Sequence, residues 1–383
     1  MIYLDNAATS FPKPKQVYER MNQYLREEAA NPGRSGHRMS VEAERKITQA
    51  RSLLAKLFNI KNPDQLIFTL NCTDSLNIAI KGVLRDGDHV ITTNIEHNSV
   101  SRPLNALEKS KKIQLIRVNA SPEGFIDPTD IKSAIKKNTR LIAITHASNV
   151  IGTVQPIRAI GKMAREKEIL FLVDAAQSAG AVPINVEADF IDLLAFPGHK
   201  SLYGPPGTGG LYVGSHVSLA PWREGGTGVD SESAVQPEKM PFLLESGTPN
   251  SAGIVGLAEG VSFILKEGIT KIAQHEHRLV KRLRKGISEI PGVKLFGSND
   301  VNQTVQPVAF LPQGIEPAEF SIILDESFEI AARAGLHCAP STHQLIGTFP
   351  KGCVRFSPGY FNTEAEIDQA IQAVKEIQSQ FVK

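Results

Sequence analysis

ILFLVDAAQSAGAVPI, residues 169–184, and DLLAFPGHKSLYGPPGTGGLYVG, residues 192–214, share one design. In each, a short and fully apolar run stops abruptly at polar or turn-forming residues. The first run ends at Val173 and meets Asp174; the second ends at Phe196 and meets Pro-Gly-His-Lys. Runs of this length bounded by turn residues read as strands buried on both faces. The same signature recurs upstream at Leu66–Leu70, His89–Thr92, Ile113–Val118 and Leu141–Thr145. Between the runs lie stretches of helical period, such as Asp127–Lys137 and Pro156–Lys167. Strands alternating with helices predict an α/β fold: a mostly parallel sheet with helices on both faces.

Outward from this centre the pattern changes. Val41, Ile47, Leu53, Leu54 and Leu57 recur at helical spacing over 41–58. Past Gly253 a long helical stretch runs from about Ile254 to Ile290, where Pro291-Gly292 breaks it. Strand-like runs follow at Val293–Phe296, Val305–Phe310 and Cys353–Ser357. A last helix spans Glu364–Phe381, opened by a capping box of Thr363 and Glu366. A chain of 383 residues exceeds what one core usually supports. We therefore expect a large α/β domain at 15–250 and a smaller α+β domain at 251–383, with residues 1–14 packing on the smaller one.

Composition excludes several classes. With 42 basic and 40 acidic residues the formal charge is +2, which gives no basis for binding nucleic acid or an anionic membrane. No apolar stretch is long enough to span a bilayer, and the first residues, MIYLDNAATSFPKP, do not read as a signal peptide. Three cysteines, Cys72, Cys338 and Cys353, are too few for a disulfide framework and fit a reducing compartment. A cytoplasmic enzyme is the expectation.

In an open parallel sheet, ligands sit beyond the carboxyl ends of the strands, so the loops there should converge. After Leu66–Leu70 come Asn71-Cys72-Thr73 and a helix beginning near Asp74. Its amides and the Thr73 hydroxyl suit an anion, although alone they read as an ordinary helix cap. Asp174 closes a buried strand, where a carboxylate needs a cationic partner; singly it reads equally well as a cap. Gln177 follows within reach of the same spot. Lys200 ends another strand beside small residues, where desolvation would lower its pKa and make it a Schiff-base nucleophile. A phosphate nest, a carboxylate for a pyridinium nitrogen and a lysine further on form the parts of a pyridoxal 5'-phosphate site. The set carries the inference; no member does alone.

From YLDNAAT at residue 3 to RFSPGY at 355, the chain resembles the class V aminotransferase family, and within it the cysteine desulfurases. The resemblance implies a fold type I architecture with active sites at a homodimer interface. It makes Lys200 the cofactor-bearing lysine, Asp174 the pyridinium partner and Gln177 the ligand of the ring oxygen. His97 becomes the imidazole stacked on the ring, with a part in proton movement. Asn149 lies near the substrate and ring oxygen. Thr73 and His199 bind phosphate, with Cys72 beside them, and Thr248 reaches the phosphate of the neighbouring subunit. One position departs from the family pattern: Pro197 stands where a serine hydroxyl commonly binds phosphate, and proline offers neither hydroxyl nor amide donor.

Fold type alone does not set the reaction. Arg333-Ala-Gly-Leu-His-Cys338 resembles the RxGxxC signature of group II desulfurases, whose cysteine accepts sulfur. That implies L-cysteine, or a related sulfur or selenium amino acid, as substrate, with Cys338 as nucleophile and Lys200 as base. The thiolate is the attacking form, and His337 or Arg333 is the neighbour expected to favour it. Arg355 is implied as the grip on the substrate carboxylate, a task suited to a bidentate fork. The His343–Gln344 region is expected to form a loop gating access, and a separate sulfur-acceptor protein is a further implied partner. Cys72 and Cys353 read as structural. The rival readings are a cystine or cysteine C–S lyase, a selenocysteine lyase, an aminotransferase, and a catalytically idle sulfur carrier or scaffold.

Overall fold

The computed structural model describes residues 1–33 and 36–382. Its centre is a seven-stranded sheet in the order Leu66–Thr69, Gly209–Val213, Leu193–Pro197, Leu170–Asp174, Thr139–Thr145, Asp88–Thr93, Ile113–Val118. All run the same way except Gly209–Val213, which is antiparallel to both neighbours. Alternate side chains enter two different cores. Phe171 and Val173 pack with Ile142, Ile144, Leu194 and Phe196 on one face. Leu170 and Leu172 pack with Leu141, Ala143, Leu193 and Ala195 on the other. Burial on both faces is why these strands are continuous apolar runs, each large side chain contributing about 1.5–3 kcal/mol.

The smaller unit is an antiparallel sheet of Arg333–Gly335, Cys353–Phe356, Val308–Pro312 and Val293–Leu295. Helices Ile269–Ser288, Pro317–Phe328 and Glu364–Ser379 cover it, around Leu283, Phe310, Phe320, Phe356 and Val374. The Thr363–Glu366 capping box forms in full. The first residues join this unit: Ile2–Tyr3 pairs with Ile330–Ala331, and Ile2 and Leu4 are buried in its core.

Two expectations need correction. The long helix over 254–290 is two helices, Ser251–Glu267 and Ile269–Ser288, broken at Gly268 with φ +86°. The first of them, which sequence assigned to the smaller domain, packs on helices Lys15–Glu27 and Arg38–Phe58. Its Leu257, Val261 and Ile264 belong to the large core. Its glycines permit the close approach: a Cβ on Gly260 would lie 2.2 Å from the Leu202 carbonyl oxygen.

Gly152 holds the two units together beside the site. Its φ is +74°, and a Cβ there would meet the carbonyl oxygens of Pro307 at 2.7 Å and Val305 at 2.9 Å. Gly152→Ala is expected to cost about 2 kcal/mol or more, through strain and backbone clash. A thermal melt should register it as a loss of about 2–3 °C; an unchanged melt would show that the contact yields freely.

Candidate active site

The strand ends converge as the topology requires, around a cavity of about 220 Å³. Leu66–Thr69 delivers Cys72 and Thr73, Asp88–Thr93 delivers His97, and Thr139–Thr145 leads to Asn149. Leu170–Asp174 delivers Asp174 and Gln177, and Leu193–Pro197 leads to His199 and Lys200. From the smaller unit, Arg333 and Arg355 close the far side. They are directly opposed on neighbouring strands.

Asp174 is 2% exposed. Its Oδ1 accepts the Ala176 amide at 2.9 Å and the Cys72 thiol at 3.4 Å. Burial pushes its carboxyl above the usual range, and the Lys200 charge works against this. Burial also pushes the Cys72 thiol well up, which fits a donor rather than a thiolate. A buried carboxylate that bonds, among the described residues, an amide and a thiol suits a cationic ring nitrogen. Asp174 and its surroundings fit the pyridinium nitrogen of pyridoxal phosphate. Lys200 is half-buried on the cavity wall, and desolvation lowers its ammonium pKa, with the Arg355 and Arg333 charges acting the same way against Cys72 and Asp174.

His97 caps the helix Asn98–Lys109, its Nδ1 accepting the Ser99 amide at 3.0 Å. Burial, helped by the charge of Lys200, pushes its pKa down to about 4. It is therefore a neutral ring with the proton on Nε2. The Thr73 and Ser99 hydroxyls are bonded at 2.8 Å on the cavity wall. Ser99 thus brings a hydroxyl to the wall where Pro197 offers none.

Arg355 is 1% exposed. One Nη donates to Asp5 Oδ1 at 2.6 Å and the other to the Asn149 carbonyl at 2.8 Å, while the buried Nε has no partner among the described residues. Sequence reasoning missed Asp5 and its whole segment. Ala7 and Ala8 line the cavity, and the Ala7 carbonyl takes an amide hydrogen of Gln177 at 3.0 Å. The His199 carbonyl accepts the Ser10 amide, the Thr9 hydroxyl and the Lys13 ammonium at 3.0–3.2 Å. The one signal was the polar DNAATS run, which has no period of its own.

Two expected site residues stand outside the cavity wall. Thr248 is exposed and lines a second cavity of about 470 Å³. Cys338 is exposed, but its carbonyl accepts the amide of Asn98, next to His97, at 2.8 Å, and its neighbour His337 lines the cavity. His337 does not supply the cation expected for the thiol. Burial holds its pKa well below the ordinary value, and its ring nitrogens are bonded to His343 and to the Arg333 carbonyl. Nor is the His343–Gln344 region a gating loop: it lies in the short helix Pro340–Leu345, with His343 fully buried.

A model of the family described as aminotransferase class-V matches residues 2–370. The chain belongs to that family. Among class-V relatives, a probable cysteine desulfurase of Methanothermobacter thermautotrophicus is 37% identical, the match covering 98% of this chain and 94% of that one. A probable cysteine desulfurase of Pyrococcus abyssi is 35% identical with the same coverages. Of solved structures, the apo cysteine desulfurase from Thermococcus onnurineus NA1 superposes with a TM-score of 0.93 at 33% identity, covering 99% of this chain and 95% of that one. The class-V fold of this chain is accordingly fold type I. Among the described residues, no helix is long and apolar enough to cross a membrane.

Proposed function

We propose that this protein is a pyridoxal-phosphate-dependent cysteine desulfurase that takes sulfur from L-cysteine onto Cys338 and releases L-alanine. The observation that carries it is the tethering of the Cys338 turn to the wall of a cavity holding Asp174, Lys200 and Arg355. The class-V membership and the desulfurase relatives support it.

Asp174 would hold the ring nitrogen, His97 would lie against the ring, and Lys200 would carry the carbonyl carbon. Thr73, His199 and the amides opening the helix Cys72–Val83 would hold the phosphate. The cofactor supplies an electron sink for a carbanion at the substrate Cα. Lys200, its amine freed by the substrate amine and its ammonium disfavoured by burial, moves the proton at Cα. Arg355 and Asn149, both on the cavity wall, would orient the substrate carboxylate. Cys338 attacks the substrate Sγ: an S–S bond forms, the Cβ–S bond breaks, and its electron pair stays with the carbon skeleton to be protonated to alanine. A thiol reductant then releases the outer sulfur as sulfide.

The proposal includes a cytoplasmic homodimer in which exposed Thr248 faces the partner's phosphate, and a protein or small thiol as sulfur acceptor. Arg355→Lys keeps the charge but loses the planar guanidinium held by Asp5 and the Asn149 carbonyl, so KM for L-cysteine should rise about tenfold or more; an unchanged KM would remove Arg355 from substrate binding. The deciding assay is product analysis with L-cysteine and a reductant. Alanine and sulfide in equal amounts are expected, whereas pyruvate and ammonia would make the protein a C–S lyase.

A further inference from the structure

The turn that carries Cys338 is held in an unfavourable conformation. His337 and Cys338 are consecutive left-handed residues, with φ of 48° and 57°. This conformation is unfavourable for non-glycine residues, which keep it only where surrounding structure over-determines it. Two anchors are main-chain carbonyls. The His337 oxygen accepts Asn149 Nδ2 at 2.6 Å, and the Cys338 oxygen accepts the Asn98 amide at 2.8 Å.

The third anchor is the His337 ring, and its proton positions follow from its partners. Nε2 faces the Arg333 carbonyl at 3.3 Å. A carbonyl only accepts, so Nε2 carries the hydrogen. Burial keeps the ring neutral, which leaves Nδ1 bare. Nδ1 faces His343 Nε2 at 3.3 Å, so that nitrogen must donate. His343 is neutral as well, its pKa pushed to about 4 by burial, so its Nδ1 is the acceptor. Thr348 Oγ1, 2.7 Å away, donates to it. Every proton in the chain Thr348, His343, His337, Arg333 therefore points one way. Cys353 brings its sulfur within 4.8 Å of both rings. The donor chemistry argues against a metal there, because burial holds that thiol protonated, its pKa near 12, and the facing ring nitrogens already bond each other.

We propose that His343, backed by Thr348, is a positioning residue for the Cys338 nucleophile, acting by fixing the tautomer and orientation of His337. This rests on the desulfurase reading above. Neither His343 nor Thr348 lines the cavity, so neither touches substrate or cofactor. Their removal loosens only the turn, and a displacement of the order of 1 Å at a reacting atom costs about 10²-fold.

Thr348→Val deletes one hydroxyl from a side chain of the same shape, and is the variant least prone to misfold. In the holoenzyme it is expected to lower kcat about tenfold, and His343→Leu about 10²-fold. KM for L-cysteine and the visible absorbance of lysine-bound cofactor should stay at native values. Thr348→Ser and His343→Gln, which restore a donor, should recover most of the rate. Retained kcat in Thr348→Val and His343→Leu, loss of cofactor absorbance along with kcat, or no recovery in the conservative pair would each overturn the assignment. An arm independent of the reaction is nitrogen-15 NMR of histidine-labelled holoenzyme. Both rings should be Nε2-protonated, and an Nδ1-protonated ring at either position refutes the relay even if the desulfurase reading stands. Pyruvate from the native enzyme refutes that reading and leaves the NMR result intact.

Discussion

Lys200→Ala, purified with pyridoxal 5'-phosphate, is expected to lack the visible absorbance of lysine-bound cofactor and to lose turnover by at least about 10²–10⁴-fold. The size follows from two roles vested in one nitrogen. A lysine at the cavity wall whose pKa is lowered by desolvation presents more free amine as nucleophile near neutral pH. Once displaced by substrate, the same amine is the base available at Cα. Asp174 and Cys72 would remain in place, so the variant should still fold around a carboxylate at the end of Leu170–Asp174. Undiminished absorbance in Lys200→Ala would remove Lys200 from the chemistry and leave its burial unexplained.

Cys338→Ser should separate cofactor chemistry from sulfur transfer. The hydroxyl is nearly isosteric and the turn is anchored by the His337 and Cys338 carbonyls and the His337 ring, none of which the substitution removes, so the loop should keep its shape. A serine hydroxyl is not ionised near neutral pH and is a poor nucleophile toward sulfur. Formation of alanine and sulfide should therefore fall by roughly 10²-fold or more, while cofactor absorbance and binding of L-cysteine persist. A variant that keeps native turnover and makes pyruvate would reduce Cys338 to a bystander.

What the sequence disclosed, it disclosed through strong local physics. Asp174 was legible because a carboxylate ending an apolar run must find a partner, and the Thr363–Glu366 box because capping is a local bond. Lys200 was legible as a lysine among small residues at a strand end. The break at Gly268 was not, because the apolar period continues across it into Ile272 and Leu279. The placement of Ser251–Glu267 was hidden for a related reason. Its apolar residues Leu257, Val261 and Ile264 would suit either core, and Gly256 and Gly260, which let it approach the large one, do not announce which. Asp5 meets Arg355 across 350 positions of chain, and His337 meets His343 only because a short helix folds back. Both are tertiary facts. Of the two neighbours expected to favour the Cys338 thiolate, His337 or Arg333, His337 is buried with its pKa held low, and sequence gives residue type and not burial.

The central claim is that Cys338 itself receives the sulfur. The most direct measurement is the mass of the Cys338 peptide after the native holoenzyme is mixed with L-cysteine without reductant and alkylated. The account predicts one added sulfur atom on Cys338, removable by dithiothreitol, with one alanine released per site. An unmodified Cys338 beside a full complement of product, or the added sulfur on Cys72 or Cys353, would contradict it.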